Sequence, residues 1–303
     1  MAENRKASHR SRGAPSSGML ELTAGDAHVE IDPESGGRLA QIRVGGNDLL
    51  VDRGSPHHNH PFGWGSYPMA PFAGRIRRGR FAFAGREYEL PPNLGGHAIH
   101  GVALEAPWTV EFADRSSARL ACGFAPPWPF GGRVVHEIDL TSERLEQRLT
   151  VEADRPMPVT VGWHPWWRRD IGSGSRLELS FDDRPARMFR RDDDMMPTGD
   201  LTPPGPHPWD DCFTGIGTVT VRWPDALEID IEHDCGYVVI YEPDHAVCVE
   251  PQTGPPDAWR HRPHTSLAEP GRPITATTTW RWRVLRGAGH RGTATPSGRR
   301  RQP

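Results

Sequence analysis

Apolar positions recur at every second residue along most of the chain. Leu120, Cys122 and Phe124 alternate with polar or small residues, as do Val134, His136, Ile138 and Leu140. After a short polar turn the pattern resumes at Leu145, Gln147, Leu149 and Val151. A period of two sends successive side chains to opposite faces, so each run predicts a strand with one buried face. Val219, Val221 and Trp223 lead through Pro224-Asp225 to Leu227, Ile229 and Ile231, which predicts a hairpin. Trp280, Trp282 and Val284 are expected to close the core. No stretch of a dozen residues carries a stripe at the helical period of 3.6. The runs are short and bounded by Gly, Pro or Asp. The expected fold is all-β, a large antiparallel β-sandwich, with one domain over residues 19–286. Residues 1–18 and 287–303 are basic, small and aperiodic, and read as disordered tails.

Composition narrows the chemistry. The 33 glycines and 31 prolines follow no Gly-X-Y period, so they indicate turns and exclude collagen. No internal repeat at a fixed period suggests a propeller. A formal net charge of −3 gives no general reason to expect nucleic acid or an anionic membrane as partner. Arg299 to Arg301 read as a solvated tail. Lys6 is the only lysine and falls in the N-terminal tail. Schiff-base chemistry, pyridoxal phosphate anchoring and a Walker-type phosphate loop are therefore set aside, since each needs a lysine on a structured element. Cys122, Cys212, Cys235 and Cys248 form no C-x-x-C pair and read as reduced, buried thiols. No apolar stretch suits a signal peptide or a membrane span, so a cytoplasmic protein is expected. Nothing marks an interface, and the default is a monomer.

Four stretches place ionisable residues among Gly, Pro and aromatics. They are Tyr67 to Phe81, Leu94 to Gly101, Val161 to Trp167, and Cys248 to Ala258. Histidine can give a proton near neutrality and glutamate can take one, so His164 and His100 with Glu250 suggest acid–base chemistry. Trp163, Trp166 and Trp167 beside His164 offer faces on which a sugar ring could stack. His57, His58 and His60 lack a carboxylate or cysteine partner at ligand spacing, and no metal site is expected there. No G-x-S-x-G nucleophile elbow occurs.

Five segments, in order, resemble the aldose 1-epimerase (galactose mutarotase) family. They are Gly74-Arg75-Ile76 with Gly79-Arg80-Phe81, His100-Gly101, Gly162-Trp163-His164-Pro165-Trp166-Trp167, Asp210-Asp211-Cys212-Phe213, and Glu250-Pro251-Gln252-Thr253-Gly254-Pro255-Pro256-Asp257-Ala258. The early SGGRLAQIRVGGNDLL also fits the family's first strands, and the likeness runs from about Leu20 to Leu285. It implies a galactose mutarotase-like supersandwich that interconverts the α and β anomers of an aldohexose without a cofactor. Glu250 would be the base that deprotonates the anomeric hydroxyl, and His164 the acid that protonates the ring oxygen. His100 would hydrogen-bond near that oxygen, while Arg75 and Asp210 would hold sugar hydroxyls. Matching to His-Gly selects His100 over His97, and spacing to Phe213 selects Asp210 over Asp211. Such a pair predicts a bell-shaped pH dependence, limited on the acid side by Glu250 and on the alkaline side by His164.

The chain departs from the family pattern at Gly74, where an asparagine is usual, and at Trp166 and Trp167, where Tyr-Phe is usual. These changes bear on the sugar accepted. Arg77, Arg78 and Arg80 read as a solvated strand face, although they leave open a hexose-6-phosphate 1-epimerase. A non-catalytic carbohydrate-binding protein is the third reading, against which both Glu250 and His164 are retained.

Overall fold

The computed structural model describes residues 18–56, 61–260 and 266–285. Both expected tails, apart from Gly18, and the histidines His57, His58 and His60 lie outside the described residues. Strands dominate the described residues, with three single-turn 3-10 helices between them.

Two antiparallel sheets carry the fold. The larger has eleven strands, ordered Leu20–Ala24, Ala27–Asp32, Arg38–Val44, Ser66–Met69, Gly162–Arg168, Ala246–Gln252, Tyr237–Tyr241, Asp210–Thr214, Arg187–Arg191 and Pro197–Thr202, with Asn47–Asp48 paired to Arg38–Val44. The smaller runs Thr109–Ala113, Ser117–Gly123, Arg133–Leu140, Arg144–Glu152, Ile274–Val284, Leu227–His233, Val219–Trp223 and Glu178–Phe181. The predicted hairpin is present, with Val219 opposite Ile231 and Trp223 opposite Leu227.

The alternation read from the sequence decides which side chains fill the space between the sheets. Leu145, Leu149, Val151, Ile229, Ile231 and Trp280 from the smaller sheet share one core with Trp163, Trp167, Val247 and Val249 from the larger. Trp167 meets Trp280 edge to face with ring centroids 4.6 Å apart. Burying one such indole contributes roughly 5 kcal/mol at about 25 cal/mol per Å², before entropy is counted. Trp282 is buried and its indole N–H reaches the carbonyl of Ser142 at 3.0 Å. Val284 does not close the core as expected; it is 50% exposed, because it lies on the last rung of its ladder, opposite Leu227. All four cysteines are free and buried.

Candidate active site

The site is built on the outer face of the larger sheet, from the alternate residues of five neighbouring strands. Ser66–Met69, Gly162–Arg168 and Ala246–Gln252 among them are buried on both faces, so apolar periodicity alone could not mark the second face there. In Gly162–Arg168, Trp163 and Trp167 go to the inter-sheet core while His164 and Trp166 line a pocket. In Ala246–Gln252, Val247 and Val249 face the core while Glu250 and Gln252 line the pocket. Tyr67, Val239, Tyr241 and Asp210 complete the strand-borne wall.

Register then fixes the pairing. Gly162 stands opposite Gln252 and Trp166 opposite Cys248, which sets His164 across from Glu250. His164 Nε2 and Glu250 Oε1 are 3.1 Å apart, and both residues are buried. Gln252 donates from Nε2 to the other carboxylate oxygen, Oε2, at 3.1 Å. His164 sits between two aromatic rings. Tyr67, directly opposite on the neighbouring strand, stacks at 4.9 Å, and Trp166 stacks at 5.1 Å with planes 11° apart.

The opposite wall comes from short segments packed over the sheet. Arg75–Ile76 pairs with Ala98–Ile99, and the amide of His100 donates to the carbonyl of Gly74 at 2.9 Å. His100 meets His164 edge on at 5.0 Å. Its φ of +62° is left-handed, a strained choice for a non-glycine residue that is concentrated at functional sites. The glycine after it is sterically required. A Cβ on Gly101 would come within 2.0 Å of the Ala70 carbonyl oxygen. Asp257 fastens this wall from below, its amide donating to the carbonyl of Arg75 at 2.6 Å and its Oδ1 accepting from the amide of Arg77 at 3.1 Å.

Burial sets the protonation of the pair. It pushes the Glu250 carboxyl well above its usual value, and the nearby Asp210 charge pushes further in the same direction. It pulls His164 down to about 3 and His100 well below the ordinary histidine value, the latter helped by His164. Both members of the pair thus favour their neutral forms, and the pair holds one proton around neutrality. Two separated charges are disfavoured in a site this dry.

All five predicted site residues, Glu250, His164, His100, Arg75 and Asp210, line the same pocket. Asp210 lines a neighbouring crevice as well as the pocket, whereas His97 and Asp211 do not reach the pocket. His97 accepts at Nδ1 from the amide of Arg78 at 3.1 Å instead of lining the pocket, and Asp211 is held by Arg191 at 2.8 Å in that neighbouring crevice. Arg77 is not a solvated residue as expected. It is largely buried and ion-paired with Asp192, Asp194 and Asp257. Trp163 and Trp167 are core residues, so Trp166 alone of the three tryptophans can meet a ligand. Gly74 adopts φ +67°, and a Cβ there would press on Pro256 at 3.0 Å.

Sequence reasoning gave no role to Tyr67, Gln252 or Arg38. Tyr67 and Gln252 lay inside the quoted segments, and their strand alternation with His164 and Glu250 was the usable signal. Arg38 carried none, since an arginine in a strand reads as surface. Its guanidinium is wholly buried, donating to the carbonyls of Ser35, Pro61 and Trp64, and lies 5.1 Å from the Tyr67 ring centroid.

Residues 19–281 match the family model described as aldose 1-epimerase. The chain is 26% identical over 291 residues to the Escherichia coli protein YihR, covering 84% of this chain and 90% of that one. A second Escherichia coli protein, YphB, is 31% identical over 106 residues, a stretch that spans 33% of this chain and only 36% of YphB. Among solved structures, a galactose mutarotase-like protein from Clostridium acetobutylicum superposes with a TM-score of 0.78 at 17% identity, over 88% of this chain and 95% of that one. The family match takes in both sheets and every segment that lines the pocket, and on that ground the chain belongs to the aldose 1-epimerase family.

Proposed function

We infer that this chain is an aldose 1-epimerase that interconverts the α and β anomers of an unphosphorylated aldohexose. The observation that carries the reading is the His164–Glu250 pair, 3.1 Å apart and turned into a pocket that also presents Arg75, Asp210 and His100.

The sugar enters with its anomeric carbon over the pair and its C–H face against Trp166. The single proton of the pair moves to His164 as O1 approaches Glu250. Glu250 then takes the proton of the O1 hydroxyl while His164 gives its proton to the ring oxygen. The bond from C1 to the ring oxygen breaks, leaving a free aldehyde and a ring-opened hydroxyl. Rotation about C1–C2 exposes the other face of the aldehyde. Reclosure runs the proton transfers in reverse and restores the pair. A positioned acid or base contributes about a hundred- to ten-thousandfold each, which fits a reaction that already proceeds slowly in water. Gln252 donates a hydrogen bond to the second oxygen of Glu250, Oε2, which leaves Oε1 for the chemistry.

The lining supports a neutral sugar over a phosphorylated one. Arg75 is the one arginine on the pocket wall among the described residues, whereas Arg77, Arg78 and Arg80 line a separate depression. Two-dimensional NMR exchange between anomeric protons tests both statements. Exchange above the buffer rate with galactose or glucose is expected. Exchange confined to the 6-phosphates would contradict the reading.

A further inference from the structure

Cys248 takes no part in the epimerisation cycle, yet it sits at the catalytic pair. It alternates with Glu250 on one strand, and both project away from the inter-sheet core, as does His164 on the next strand. One nitrogen, one sulfur and one carboxylate oxygen from His164, Cys248 and Glu250 all lie within 4.8 Å of one another. We propose that these three residues form a binding site for a borderline-soft divalent cation of the zinc class, and that filling it silences the acid–base pair.

The donor set decides which ion fits. Zinc takes imidazole, thiolate and carboxylate at about 2.0–2.3 Å in a tetrahedron, which puts neighbouring donors on the order of 3.5 Å apart. His164 and Glu250 are already at 3.1 Å and the Cys248 sulfur lies within 4.8 Å of both ligand atoms, so the set has to close by on the order of 1 Å. Calcium and magnesium want six or more oxygens and are not served. A dication with one thiolate, one carboxylate and one neutral imidazole is also neutral overall, which suits a site where all three residues are buried. His164 and Glu250 line the pocket, which gives a cation a way in.

The balance of the step is simple. Entry of the cation displaces the thiol proton of Cys248 and the proton shared by His164 and Glu250, so two protons leave. Nothing is oxidised and no bond to carbon changes. The imidazole lone pair and the carboxylate are then engaged by the metal and neither can move a proton. This inhibitory consequence rests on the epimerase reading; the binding itself does not.

Cobalt(II) added to the full chain is the probe. One equivalent is expected to give a near-ultraviolet thiolate-to-cobalt charge-transfer band with intense visible d–d bands. Cys248→Ser should lose the charge-transfer band, Cys212→Ser should keep it, and Glu250→Gln should weaken cobalt binding at least tenfold, each checked for folding by circular dichroism. Zinc should also lower the apparent kcat of the wild-type protein, with recovery on adding EDTA. A folded wild-type protein with no charge-transfer band, or a band that survives in Cys248→Ser, would overturn the site. Because the band needs no turnover, cobalt binding without epimerisation would sink the functional reading alone, and turnover without the band would sink the metal site alone.

Discussion

Tyr67 and His164 face each other directly across an antiparallel pair, their rings 4.9 Å apart and 29° from parallel. The stack, with Trp166 on the other side, leaves the imidazole little freedom except to present its Nε2 to Glu250. Tyr67 itself is wholly buried, and burial keeps its phenol neutral. Its ring positions the acid. Tyr67→Phe keeps the stack and is expected to retain activity within about tenfold. Tyr67→Ala frees the imidazole, and a misplacement of about 1 Å costs on the order of a hundredfold in kcat. Steady-state polarimetry on both variants checks this; equal losses would mean that the hydroxyl, not the ring, matters.

Trp166 and Trp167 are neighbours in sequence with opposite duties. Trp167→Ala opens a cavity between the sheets and should cost about 3–5 kcal/mol of stability. Trp166→Ala should lower stability less but lower kcat/KM several-fold, since it removes the ring that stacks on His164 at the pocket wall. Denaturant melts beside kinetics separate the two. A kcat/KM effect at Trp167 with none at Trp166 would contradict the assignment of faces.

How far the sequence carried this picture is clear from the same strand. Period-two alternation identified strands whose outer face is polar, such as Arg144–Glu152, because water enforces the pattern there. Gly162–Arg168 is buried on both faces, so its three tryptophans looked alike until the second sheet and the overlying segments were in place. The five residues that meet in the pocket were legible because five short motifs occur in order. The side chains that support them were not. Arg38 is buried in a strand by carbonyls contributed from distant loops, and Arg77 is covered by aspartates more than a hundred positions away. Such long-range polar contacts leave no local pattern.

The pH–rate profile should be broad. The proposed cycle needs a single proton on the His164–Glu250 pair. The acid limb begins where the pair accepts a second proton, and burial of His164 moves that step far below the usual 6.5. The alkaline limb begins where the pair loses its only proton, and burial of Glu250 moves that step upward. A kcat/KM level through neutrality is expected, with the two limits belonging to the pair. A lone ionisation near 6.5 would show an ordinary histidine and contradict the account.

His136 gives stability its own pH dependence. It is wholly buried in the smaller sheet, and burial lowers its pKa from 6.5 to about 4. Between those values the unfolded chain binds the proton and the folded chain does not, so stability falls as pH drops. The His136 share is roughly 2 kcal/mol between pH 7 and pH 5. Glu250 acts in the opposite sense, because its raised pKa makes the folded chain the better proton binder. Comparing urea melts of wild type and His136→Leu at both pH values isolates the histidine. No difference in pH slope between the two would rule its contribution out.

The most direct test of the acid–base pair is polarimetry of freshly dissolved α-galactose and α-glucose with wild type and Glu250→Gln side by side. The account predicts that wild type accelerates the approach to anomeric equilibrium and that the variant, still folded, falls back at least a hundredfold toward the buffer rate. Acceleration that survives Glu250→Gln would contradict the role of Glu250 as the base.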